Sequence, residues 1–165
     1  MVSKLIDLIS YFPIERIFLI FEKARHRRIS RRLGKFGNRV TFSVGFYVED
    51  PKTVFIFDDV SFGPHVSILG VGGCTIGRNT MIATRTLILT TSHDRRSKIM
   101  RESAIHKPVI IEDNVWIGAG SILLGGITIG SGAVIGAGAV VTHDIKSNQI
   151  VYGVPARSVR DRFSL

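Results

Sequence analysis

The 165-residue sequence has little cysteine, tryptophan or proline: one, one and five residues. A single cysteine excludes a disulfide framework and a zinc site built on paired thiolates. No apolar run approaches the eighteen residues of a membrane-spanning helix, because Glu15, Arg16, Glu22 and Lys23 interrupt the best candidate. No cleavable signal is expected, and together with the lone Cys74 this points to a reducing, cytoplasmic setting. Charge is spread unevenly. Residues 1–39 carry ten Lys/Arg against three Asp/Glu, whereas residues 40–165 carry twelve against ten, so the basicity belongs to an amino-terminal segment. No helix-turn-helix spacing, zinc knuckle or aromatic-and-basic sheet pattern accompanies it, and nucleic acid is not an expected partner. Hydrophobic residues at 45% exclude a wholly disordered chain, and 17 glycines without a three-residue period exclude collagen.

What the sequence has is a repeat. Ile111, Ile117, Leu123, Ile129, Ile135 and Val141 recur every six residues, and Ile56, Phe62 and Ile68 obey the same rule. After a two-residue slip at Gly72 and Gly73 it resumes at Ile76, Ile82 and Ile88. Four places after each aliphatic of the later run stand Val115, Ser121, Ile127, Ala133, Ala139 and Ile145, mostly small or β-branched. Neither the helical period of 3.6 nor the strand period of 2 yields a strict six. Three hexads closing one turn make an 18-residue triangular coil with a short strand on each side, whose aliphatics point inward and stack on those of adjacent coils. Gly118, Gly130 and Gly136, directly after an aliphatic, are expected to supply the positive φ of tight corners.

Strings such as IGAGSILLGGITIGSGAVIGAGAVV resemble the hexapeptide-repeat transferase superfamily over about residues 36–162. The resemblance implies a left-handed parallel β-helix, a hand the spacing does not fix. The expected fold is therefore mainly β, with residues 1–35 as a basic helical segment and 36–162 as the β-helix domain. The period fails between Ser92 and Pro108, in SHDRRSKIMRESAIHKP, and a long loop in a regular solenoid is usually functional. TTSHD, HKPVIIEDNVWIG and VYGVPARSVR are similar to strings of the superfamily's sugar O-acetyltransferases. By that resemblance His93 is the general base, and the physical reason is that a neutral imidazole accepts the proton of a sugar hydroxyl attacking a thioester. The alternative is a solvated loop histidine.

The resemblance also implies acetyl-CoA as co-substrate. It aligns Ala119, Ala137, Thr142 and His143 with the pantetheine and adenine path, and Arg157 and Arg160 with residues meeting the coenzyme's phosphates. Small residues suit a thin pantetheine arm lying against backbone, although Ala119 and Ala137 equally suit tight coil packing; arginine suits phosphate by its bidentate fork. The family usually has Lys where His143 stands. Trp116, beside an inward isoleucine, must face outward, either toward acceptor or coenzyme or into a subunit contact. His65, in a turn, and His106, before Lys107-Pro108, are candidates for the acceptor site, while His26 is expected to be solvated. Histidines 65, 93 and 106 are too widely spaced for the zinc site of related β-helical carbonic anhydrases, so no metal is expected.

These readings converge on a homotrimeric O-acetyltransferase with sites between subunits, acting on a nucleotide-, lipid- or polysaccharide-linked sugar in exopolysaccharide or O-antigen assembly. Amino-sugar N-acetylation and a catalytically silent trimeric scaffold are the alternatives. Residues 3–33 read as helix, bent at Pro13, with Ile6, Ile9, Ile14, Ile17, Phe18 and Phe21 on one stripe and seven Lys/Arg among residues 23–35. The stripe is expected to cap the open end of the β-helix, with peripheral membrane contact through the basic end as the alternative.

Overall fold

The hexad closes into a three-sided prism. The computed structural model describes residues 14–164. Its first face stacks β1 (Lys35–Phe36), β4 (Val54–Ile56), β7 (Cys74–Ile76), β12 (Val109–Ile111) and β15 (Ile127–Ile129). The second stacks β2 (Thr41–Phe42), β5 (Ser61–Phe62), β8 (Met81–Ile82), β13 (Trp116–Ile117), β16 (Val134–Ile135) and β18 (Gln149–Tyr152). The third stacks β3 (Tyr47–Val48), β6 (Ser67–Leu69), β9 (Leu87–Leu89), β14 (Ile122–Leu124) and β17 (Val140–Val141). Neighbours on each face pair in parallel, except that β19 (Arg157–Asp161) joins the second face antiparallel, against β18. The fold is thus the left-handed parallel β-helix expected, about six turns tall.

Every inward aliphatic of the repeat is buried: Ile56, Ile76, Ile111 and Ile129 along the first face, Phe62, Ile82, Ile117 and Ile135 along the second, and Ile68, Ile88, Leu123 and Val141 along the third. Burial of these stacked columns is the main stabilising contribution, since a lone coil has no second layer to cover its interior. Cys74 belongs to this core at 2% exposure, and burial pushes its thiol up to about 12. The folded protein should therefore resist thiol alkylation at pH 8, where the thiolate is the reactive form, and react rapidly once denatured. Rapid labelling of native protein would show that the coil around Cys74 opens.

Two expectations about the coil are corrected. The 18-residue coil holds only for the later turn, where Val109 pairs with Ile127; the earlier turns take 20, as Thr41 pairs with Ser61 and Ser61 with Met81. The extra residues lie where the third face returns to the first, as the 3₁₀ turn Pro51–Thr53 and the segment Gly70–Gly73. Gly118, Gly130 and Gly136 do not have positive φ. Left-handed residues instead stand three places after the inward aliphatic, at Asp59, His65, Asn79, Arg85, Asn114, Gly120, Gly132 and Gly138. Gly118 is needed for close approach: a Cβ there would lie 2.5 Å from the Ala137 amide nitrogen on the next coil.

Helix α1 (Ile14–Ser30) lies over the first coil. Arg25 Nη2 donates to the Phe46 carbonyl at 2.6 Å, the Gly45 amide donates to Glu22 at 3.3 Å, and Ile29 and Leu33 pack on the core. Capping is therefore done by the basic half of the helix, and the apolar stripe assigned to it is exposed: Ile17, Phe18 and Phe21 are 41, 50 and 69% accessible. The register explains this. Glu22, Arg25, His26 and Ile29 share the face that meets Phe42 and Phe46, and the turns before Glu22 extend past the first coil. Ile6 and Ile9 lie outside the described residues. His26 is not solvated as expected, because its ring packs on Phe42 at 5.4 Å. Burial holds its imidazole below the ordinary range, with the Glu22 carboxylate partly opposing.

Candidate active site

The departure from the repeat is a hairpin. After β9 the chain leaves the edge between the third and first faces as β10 (Thr91–His93), turns through a 3₁₀ segment Met100–Glu102, and returns as β11 (Ala104–His106). The strands pair antiparallel, with Thr91 opposite His106 and His93 opposite Ala104. Thr90, buried at the root, clamps the hairpin to the coils: its hydroxyl donates to the Leu69 carbonyl at 3.1 Å and accepts from the Gly72 amide at 3.0 Å. Its own carbonyl accepts from the Lys107 amide at 2.9 Å, closing the exit. Asp94 turns the outgoing strand, its carboxylate accepting from the Arg96 amide at 2.9 Å.

His93 Nδ1 lies 2.7 Å from the Met100 carbonyl oxygen. A carbonyl only accepts, so Nδ1 carries a proton, and in the neutral ring Nε2 keeps its lone pair. The ring is thereby oriented by the bond to Met100. It opens onto a cavity of about 530 Å³ at this hairpin edge, walled on its apolar side by Leu89, Ile105 and Leu124. Arg95, Arg96, Lys107 and Thr142 also line it. Such a cavity suits a hydroxylated ligand with an anionic part.

The remaining candidates separate onto different parts of the prism. Thr142 joins the His93 cavity, with its hydroxyl 2.8 Å from Nδ1 of the exposed His143. Ala119 and Ala137 lie on another edge, between the second and third faces, where the Gly138 amide donates to the Ala119 carbonyl at 2.8 Å. Gly120 and Gly138, at φ of 68°, complete this alanine edge, and a Cβ on either would meet nothing within 4 Å. Among the described residues the Ala119 and Ala137 amides have no hydrogen-bond partner. The edge is therefore a smooth strip with free N–H donors, which fits the amide-bearing pantetheine arm. Arg157, on β19, ends the strip opposite Tyr152 of β18, whereas Arg160 stands opposite Ile150, farther along the strand.

His65 occupies the alanine edge two coils below Ala119, away from the His93 cavity. His106 stays on the hairpin, its Nδ1 2.9 Å from the Thr91 hydroxyl. Trp116 is outward and 53% exposed on the second face, in register with Met81 at 56%. Sequence reasoning did not single out Arg95, Arg96 and Lys107, although they lie in the loop it took as functional. It also passed over Met100, which acts through its backbone and leaves no side-chain signal.

The pattern of bacterial transferase hexapeptide (six repeats) matches residues 96–143. An experimental structure of a hexapeptide-repeat acetyltransferase from Vibrio cholerae superposes with a TM-score of 0.80 at 32% identity, over 87% of this chain and 82% of that one. The chain belongs to the hexapeptide-repeat acetyltransferases. The Vibrio protein is also known in complex with acetyl coenzyme A. Galactoside O-acetyltransferase of Lactococcus lactis is 36% identical over 72% of this chain and 51% of its own length. The Escherichia coli protein named "Putative lipopolysaccharide biosynthesis O-acetyl transferase WbbJ" is 31% identical over 76% of this chain and 70% of its own length. The chain spans about half the length of the first curated relatives it matches.

Proposed function

We propose that this protein transfers the acetyl group of acetyl-CoA to a hydroxyl of a sugar destined for a surface polysaccharide. The observation that carries the proposal is the His93 ring, fixed by the Met100 carbonyl with Nε2 free at a cavity of about 530 Å³. In the proposed reaction the sugar hydroxyl donates to Nε2, and its oxygen forms a bond to the thioester carbonyl carbon as the proton passes to the imidazole. The carbon–sulfur bond then breaks, and the proton held at Nε2 passes to the departing sulfur. Both imidazole nitrogens carry hydrogen between these steps, and the bond to Met100 stabilises that charged form in place. No acetylated side chain is required.

Acetyl-CoA is assigned to the alanine edge, with pantetheine along Ala119 and Ala137 and phosphates toward Arg157; Thr142, His143 and Arg160 are the further coenzyme residues implied by resemblance. Within one chain this edge and the His93 cavity lie on different edges of the prism, which supports a site completed by a second copy. A closed ring of three heterologous contacts brings the hairpin edge of one subunit against the alanine edge of the next. The exposed Met81 and Trp116 give the second face apolar area to bury in that contact. Light scattering at micromolar concentration should give three times the 18.2 kDa chain mass. An active monomer would overturn the shared site.

The acceptor class is supported by the name of the lipopolysaccharide relative and by Arg95, Arg96 and Lys107 at the cavity, which suit an acceptor bearing phosphate. The direct test incubates the protein with acetyl-CoA and pools of nucleotide-linked and lipid-linked sugars, read by mass spectrometry. Addition of one acetyl group to a sugar hydroxyl is expected. Acetylation only of amino sugars would replace the hydroxyl acceptor with an amine, and no acetylation of any pool would remove the proposal.

A further inference from the structure

Helix α1 makes its last described contacts with the solenoid around Glu22. Toward its start, Ile17, Phe18, Leu19, Ile20 and Phe21 are 41, 50, 55, 66 and 69% exposed. At about 100° per residue, Ile17 and Ile20 lie on the side away from Glu22, Arg25, His26 and Ile29, and Phe21 flanks that side. The same outward side continues through Ala24 to Arg27 and Arg28, with Arg31 and Arg32 just past the helix end, all exposed. Glu22 is turned inward, its carboxylate 3.3 Å from Arg25 Nη1 and accepting from Gly45. Among the described side chains the outward face is therefore apolar at one end and purely cationic along the rest.

A second copy of this chain would bring the same cations to that face, whereas an anionic bilayer complements both of its halves. Acyl chains accept the apolar end, and headgroup phosphates meet the arginines. No described helix is long and apolar enough to cross a membrane. We propose that residues 14–32 dock the protein on the anionic surface of a phospholipid bilayer. Ile17, Ile20 and Phe21 enter the boundary of the acyl chains, and Arg27, Arg28, Arg31 and Arg32 lie against the phosphates. The hairpin leaves the prism after the third coil, so at roughly 4.8 Å per coil the His93 cavity stands about 15 Å from the helix-capped end. If acetyl transfer is the activity, that height suits a sugar carried on a lipid, and this consequence alone rests on the functional reading.

The test is co-sedimentation of the full chain with vesicles of phosphatidylcholine, pure or mixed three to one with phosphatidylglycerol. Binding to the mixed vesicles is expected, at least tenfold stronger than to the pure ones and weakened by salt. Phe21→Glu should lower partitioning about tenfold, by removing apolar insertion and adding a repelled charge. The double variant Arg27→Glu/Arg28→Glu should lower it by at least as much. All three side chains are exposed, so melting temperature and oligomer mass should not change. Equal binding to both vesicle types, or undiminished binding by both variants, would overturn the proposal. So would a fall in oligomer mass on Phe21→Glu, which would make this face a subunit contact. Acetyl-CoA takes no part in the assay, so its failure is separate from failure of the proposed reaction.

Discussion

His93→Ala is expected to lower turnover by about a hundred- to ten-thousandfold while leaving acetyl-CoA affinity and melting temperature unchanged. The size follows from the chemistry: without a base, the attacking oxygen must carry its proton into the transition state or lose it to water. The selectivity follows from position. His93 is exposed, and the hairpin that carries it is held by strand pairing and by the buried Thr90, neither of which uses the imidazole. The alanine edge assigned to the coenzyme lies elsewhere on the chain. Loss of an interaction made only in the transition state lowers kcat and kcat/KM together, and calorimetry with acetyl-CoA would show binding intact. Turnover within tenfold of wild type would remove His93 from the mechanism. A parallel loss of coenzyme affinity would assign it to binding instead.

The solenoid was legible because its cause is periodic. An inward side chain every sixth residue is a requirement of stacking, and Ile111, Ile117 and Leu123 meet it on three successive faces. Register also distributes the site. Ala119 and Ala137 each stand two places after a second-face aliphatic, Ile117 and Ile135, whereas Thr142 directly follows the third-face Val141. Counting hexads therefore separates the alanine edge from the hairpin edge without coordinates. The role of glycine was misread because the amino acid has two uses that look alike in sequence. Gly120 and Gly138 provide positive φ, while Gly118 provides room for the next coil.

The amino-terminal helix was misread for a different reason. A stripe of apolar residues announces burial somewhere, but only the register of Glu22, Arg25 and His26 on the first coil decides which part of the helix reaches the core. His93, the proposed base, was legible as a residue type in a loop. Its orienting partner was not, because the Met100 carbonyl is common to every amino acid and is placed by the turn between β10 and β11.

Arg157→Ala is expected to raise KM for acetyl-CoA about ten- to a hundredfold with kcat little changed, the range for losing a charge-assisted hydrogen bond or two. The geometry distinguishes it from its neighbour. β19 pairs with β18 so that Arg157 stands opposite Tyr152, at the end of the strip that runs through Ala119 and Ala137. Arg160 stands opposite Ile150, displaced along the strand, and Arg160→Ala should raise KM less. A phosphate contact far from the thioester acts alike in ground and transition states, so its loss appears as binding and not as chemistry. Both guanidinium groups are exposed, so part of the effect should fade with added salt. Comparing acetyl-CoA with its dephosphorylated analogue then locates the contact. Wild type should discriminate between the two, and the variant that has lost the contact should not. If Arg157→Ala binds acetyl-CoA as wild type does, β19 only closes the carboxyl-terminal coil, and the coenzyme lies on a different edge of the prism.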